Sequence, residues 1–295
     1  EPIFVPAQNA LLQANYSPAI RGRVFGTITG VTKGAFLAAA LAGGALLHWR
    51  PASYLWMFPV AGVLGTISYL QYARIRVRRW EAPPREDAPP GLPGAVREFF
   101  RILRDDQDFD RFERNFMLYG MAFMIVLPVH TFLLIDQLRM DYWTYTLCQL
   151  VVVQVAIAFG SRPAGKLLDR VGPTRLASLS FAALVAYVAT LAAAAVLNSQ
   201  LLAFAGFAFF GIGMSGVNAA WSLGAMRFAG ERDAAAYRGA HVACVGVRGL
   251  FGPAIGTVLY LAIEDRAHLA GWGIPAVYTL SALLFAAGSI AMARL

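Results

Sequence analysis

Apolar stretches of membrane length alternate with short basic hinges along most of this chain. The runs are 22–47, Tyr54–Ala73, Asn115–Leu134, Tyr142–Pro163, Thr174–Leu197, Leu201–Met226, Gly239–Ile263 and Pro275–Ala293. A helix rising about 1.5 Å per residue needs about 20 residues to cross a hydrocarbon core of about 30 Å. The pattern therefore predicts eight membrane-spanning helices and no strands. Glu1–Asn15 is apolar with Gln8, Asn9 and Gln13 and is too short to span. It reads as the last half of a further helix, so the chain is expected to be a truncated form of a longer one.

One break in the alternation is long. Glu81–Pro93 holds five prolines and reads as a flexible linker. Beyond it Val96, Phe99, Phe100 and Leu103 recur at helical spacing, with Arg97, Arg101 and Arg104 between them. Such a helix suits either the inner membrane surface or a solvated connection. The chain thus divides into 1–79, a linker at 80–114, and 115–295 with six spans.

Composition agrees: 58 % of the 295 residues are hydrophobic and 14 % charged, and mean hydropathy is +0.56. A soluble domain could not hide so much apolar surface, so the chain is read as an all-α polytopic membrane protein in a cell membrane, inner or plasma. The net charge of +8 does not indicate nucleic acid, because the basic residues follow the topology. Twenty of the 25 Lys and Arg fall in hinges on one side. Only Arg50, Arg139 and Arg266 fall on the other, and Lys33 and Arg248 lie within spans. Basic residues are retained on the cytoplasmic side, which orients the bundle. Cys148 and Cys244 both lie in apolar runs, so no disulfide framework or metal site is expected.

The hinge Gly160–Arg175, GSRPAGKLLDRVGPTR, carries four basic residues. Within it Gly165-x-x-x-Asp169-Arg170-x-Gly172-x-x-Arg175 resembles the loop signature of the major facilitator superfamily, found between the second and third helices of each half. Pro173 stands where that family commonly has a basic residue. The resemblance implies twelve helices in two six-helix halves joined by a cytoplasmic loop. The present chain then holds the end of helix four, helices five and six, the linker, and a complete C-terminal half. Secondary transport of a small solute by alternating access would need the missing N-terminal helices as well. The resemblance also gives Asp169 and Arg170 a gating role, with Arg21 and Arg23 as partners at the start of the 22–47 span. A short repeat fits this frame: Arg23-x9-Lys33-Gly34-x-Phe36 matches Arg238-x9-Arg248-Gly249-x-Phe251 at a constant offset of 215. The family's antiporter signature has a Gly-Pro pair in the first of these helices, where this chain has Gly43-Gly44.

No catalytic, cofactor or metal constellation emerges, so the chain is not read as an enzyme. Lys33 and Arg248 are the costly residues. Each is ten positions beyond an arginine at the inner boundary, about 15 Å deep, where a cation costs at least about 2.5 kcal/mol. Two readings fit: lining of one central cavity that favours an anionic or carboxylate-bearing solute, or hydrogen bonding to backbone carbonyls. No carboxylate at mid-depth in the predicted spans would neutralise either. His241 shares the Arg248 face, seven residues away. His130, with Phe123 and Gln137, and Asn218, with Ser215 and Ser222, make polar stripes that serve as cavity lining or as interhelical contacts. Gly252-Pro253 with Gly256 predicts a kink. The alternative to transport is a non-transporting sensor or scaffold of the same fold. Substrate, direction of transport and coupling ion leave no mark in the sequence.

Overall fold

The computed structural model describes residues 15, 18–75, 92–229, 234–266 and 268–295. The short expected helix before Asn15 and the proline-rich linker lie outside these residues, apart from its last residues at Leu92 and Pro93. Every regular element described is helical. The chain separates into two compact units, Glu1–Pro90 and Gly91–Leu295.

The first unit contains α1 (Pro18–Trp49) and α2 (Tyr54–Ala73), joined by a tight 3-10 turn at Pro51–Ser53. Pro51 suits the first position of that turn, where its missing N–H costs nothing. Gly43 comes against the Met57 side chain. No residue of α2 is buried, and Trp56, Phe58 and Leu55 stand open. A helix apolar all round with bare Trp and Phe suits lipid rather than water.

The second unit begins with α3 (Leu92–Asp105), the helix expected after the proline-rich stretch. Its Ile102 is buried, with Phe99 and Leu103 against the core. Val96 and Phe100 stay exposed beside Arg97 and Arg101. Six spans follow: α4 (Gln107–Gln137), α5 (Tyr142–Leu168), α6 (Arg170–Leu197), α7 (Gln200–Ala229), α8 (Ala234–Glu264) and α9 (Gly273–Ala293). Among the described residues seven helices are long and apolar enough to cross a membrane: α2 and these six. The remaining predicted span corresponds to α1, whose Gly34–Trp49 segment is apolar. Both α4 and α5 contain a π-turn toward the same end of the unit, at Phe132–Gln137 and Thr146–Val151.

Inside the unit α4 packs along α8 and α9, while α7 packs on the α5–α6 pair. The interior is a column of rings: Phe112, Phe116, Tyr119, Phe181 and Phe285, then Tyr187, Phe207 and Tyr278 further along. Tyr119 stacks on Phe181 with centroids 4.7 Å apart. Polar side chains tie helices where they meet, as Ser178 donates to the Ser289 carbonyl at 2.8 Å and Ser289 returns the bond to Ser178.

The charge asymmetry sets a test of sidedness. Ser53 is covered, so the reporter belongs on exposed Ala52, paired with exposed Ser161. Ala52→Cys and Ser161→Cys are expected to react with an impermeant maleimide from opposite faces of sealed cells. Labelling of both from one face would reject the alternation.

Candidate functional site

The α4–α8 interface carries the polar side chains that span-by-span reading could not pair. The helix α4 starts eight residues before the predicted run. The Asp106 side chain caps it by accepting from the Phe109 backbone N–H at 3.0 Å, and Asp108 and Asp110 complement the positive end of the helix dipole. The early start brings Glu113 inside the span. Glu113 is 2 % exposed, and its Oε1 lies 2.7 Å from Nδ1 of His241, also 2 % exposed. The early start thus adds a buried carboxylate near the beginning of α4, outside the predicted run Asn115–Leu134. The sequence shows Glu113 only as one charge between Arg111 and Arg114, and packing against α8 buries it.

Three polar contacts follow in order along the two helices. Tyr237 donates to Asp106 Oδ2 at 2.9 Å. Four residues on, His241 meets Glu113. Seven further, Arg248 donates from Nη1 to the Phe116 carbonyl at 2.9 Å, with its guanidinium carbon 5.5 Å from the centre of the Tyr119 ring. Gly120 is what admits this arginine, because a Cβ there would overlap the guanidinium. Arg248 is the tenth residue of the Gly239–Glu264 span, about 14 Å along it. It is buried inside the second unit and holds a backbone carbonyl. Glu113 Oε2, His241 Nε2 and Arg248 Nε have no hydrogen-bond partner.

His130 is not brought to this cluster. It lies further along α4 in a ring cage, its Nε2 2.5 Å from the Tyr187 hydroxyl, against Phe207 and Tyr278. Asn218 is exposed on α7. Its neighbour Ser215 donates to the Ile212 carbonyl at 2.7 Å and lies against Gly160. Gln137 donates to the Ala195 carbonyl at 2.5 Å, tying α4 to α6. The side chains of Lys33, Arg21, Arg23 and Asp169 lie outside the described residues, as does that of Ser222.

In the hinge, Arg170 and Arg175 are exposed. The helical trace from Val152 to Leu197 is interrupted at Gly172, with φ 78° and ψ 171°. Residues with a Cβ essentially never occupy that region, so the glycine of the motif is there for its backbone. Gly165 has open space where a Cβ would stand. At the same end of the unit a cleft of about 500 Å³ opens between α4 and α9, lined by Asp108, Arg111, Arg114 and Arg294. On α8, Gly252 and Gly256 serve close approach to α4: a Cβ would meet Met124 at the first and the Ile125 carbonyl at the second. Thr257 donates to the carbonyl of Pro253 within a helix that continues past the proline.

No curated protein matches the chain. The sequence model of the Major Facilitator Superfamily matches residues 1–253, which includes α1, α2, the Gly165–Arg175 motif and α8 as far as Pro253. All-helical architecture with seven membrane-length helices agrees with that match. The chain belongs to the Major Facilitator Superfamily and is a multi-pass membrane protein of the transporter class.

Proposed function

We propose that the chain is part of a secondary transporter working by alternating access, and that its solute is small and carries a carboxylate or another anionic group. The observation that supports this reading is Arg248. A guanidinium midway along a span is retained at a cost of at least about 2.5 kcal/mol, yet a single carbonyl takes one of its donors and buried Nε has no partner. A structural cation would be expected to use its full fork. Movement of α8 relative to α4 would free the guanidinium for a planar anion. Lys33, at the equivalent place in the other half, is the second proposed contact, and His241 and Asn218 are weaker candidates. The gate proposed for the cytoplasmic face is the Gly165–Arg175 hinge, with Asp169 facing Arg21 or Arg23.

The test is uptake of a panel of carboxylates and neutral analogues by the full-length protein in proteoliposomes. Arg248→Lys keeps the charge and loses the planar fork, so the transported carboxylate is expected to show a KM at least tenfold higher with kcat less affected. Arg248→Ala is expected to abolish uptake. Unaltered uptake of every solute in Lys33→Ala and Arg248→Ala would make both residues structural and reject the anion preference.

A further inference from the structure

We propose that α3 rests on an anionic membrane surface, with Val96 and Phe100 entering the headgroup layer and Arg97 and Arg104 reaching lipid phosphates. Seating of α3 depends on neither the solute nor the transport reading. The helix is divided lengthwise into four sectors. With Val96 as origin and about 100° of turn per residue, Phe100 falls at about 40°, Arg104 at about 80°, Arg97 at about 100° and Arg101 at about 140°. Asp105 and Glu98 follow at about 180° and about 200°. Ile102, Phe99 and Leu103 close the circle at about 240°, about 300° and about 340°.

Each sector has one character. The first faces protein: Ile102 is 7 % exposed, and Phe99 and Leu103 pack against the core where α3 meets α4 and α8. The second is apolar yet bare, with Phe100 63 % and Val96 47 % exposed. The third carries Arg97, Arg101 and Arg104, all exposed, and the fourth carries the two carboxylates. A helix at the rim of a bundle, resting on a bilayer, meets four such neighbours: protein, acyl chains, headgroups and water. A connector with water on all its free sides gains nothing from an open Phe100 or from charges sorted by sign.

Position and charge both name lipid as what covers the bare edge. The unit that contains α3 also contains six helices of membrane length, so a bilayer surrounds it. Only Asp106 separates α3 from the span α4, and its φ of −120° and ψ of 89° break the helix, so α3 need not continue along the α4 axis. Arg101 is held by Glu98 at 2.6 Å. Arg97 and Arg104 have no ion pair among the described residues. These two border the bare edge, and a guanidinium takes a phosphate through two parallel hydrogen bonds. Glu98 and Asp105 lie across the helix from Val96 and Phe100, away from an anionic surface. A helix of this pattern sinks its apolar edge about 5–10 Å into the boundary between headgroups and acyl chains.

The experiment places an NBD dye on Val96→Cys, or on Asp105→Cys across the helix, in the full-length protein reconstituted in vesicles. The protein without an added cysteine gives the background from Cys148 and Cys244, which lie within spans. Phosphatidylcholine is used alone or mixed with phosphatidylglycerol, and lipid with a doxyl group high on its acyl chain quenches a dye that enters the membrane. In the anionic vesicles the dye at 96 is expected to be quenched about threefold more than the dye at 105. That excess should fall by about half or more in phosphatidylcholine alone, and likewise in Arg97→Gln/Arg104→Gln. Phe100→Ser should lower it in both lipids. All three residues are exposed, so these variants should keep the wild-type unfolding midpoint, which separates loss of lipid contact from loss of fold. Equal quenching at 96 and 105 overturns the seating. A dye at 96 that is shielded from water yet untouched by doxyl lipid reports protein over the edge, from a second copy or another chain, and also overturns it. Quenching at 96 that ignores both phosphatidylglycerol and the two arginines overturns the anionic preference.

Discussion

Gly256→Val is expected to separate α4 from α8 and cost the second unit about 3 kcal/mol or more, the upper end of what overpacking costs. A Cβ at 256 would fall on the carbonyl of Ile125. That atom is backbone inside a helix and cannot rotate away as a side chain would. Relief requires the helices to part, which also strains the Glu113–His241 and Arg248–Phe116 contacts nearer the other end. The control is Gly246→Ala on the same helix, where a Cβ meets open space; it should be neutral or stabilising, because alanine favours the helix by up to about 1 kcal/mol. The measurement is the midpoint of thermal unfolding in detergent. Equal midpoints for the two variants would mean that the close approach is not maintained in the protein.

His130→Ala comes next in size, with an expected loss of about 2–3 kcal/mol. The imidazole fills a cage of Tyr187, Phe207 and Tyr278 and is 3 % exposed. Its removal opens a cavity and strands the Tyr187 hydroxyl. Tyr187→Phe deletes only the hydrogen bond, and interhelical hydrogen bonds in membranes average about 0.6 kcal/mol. Unfolding midpoints in detergent should therefore drop clearly for the first variant and slightly for the second. Transport by whatever protein remains folded should keep the wild-type KM in both. A raised KM with an unchanged midpoint would place His130 in the solute path and reverse its assignment as a packing residue.

The spans were legible because two signals agree along the chain. Hydropathy marks where helices cross, and the side on which arginines accumulate marks where they turn. Tyr54–Ala73 begins and ends at the residues that the pattern gives. Gly172 was legible as part of a motif, although only its backbone angles explain why it is glycine. The start of α4 was not legible. Residues 107–114 hold five charges, which hydropathy reads as solvent-facing, while Asp106 caps a helix that begins there. Glu113 was misplaced for the same reason, since burial is decided by which face of α4 meets α8 and no local pattern contains that. The partner of Arg248 is a backbone carbonyl, which has no sequence signature. Gly252 and Gly256 also meet α4 at close range, a contact that no local pattern contains.

The length of α4 has a further consequence for the membrane around it. Its 31 residues extend about 46 Å, against about 30 Å of hydrocarbon. Its neighbour α9 has 21 residues, about 31 Å, and matches the bilayer. Because the two pack along one another, α4 cannot absorb the whole excess by tilting, and the surplus emerges at the end where Asp108, Arg111 and Arg114 stand exposed. A thicker bilayer would draw those charged side chains toward hydrocarbon, which makes lipid chain length a control on how α4 is seated.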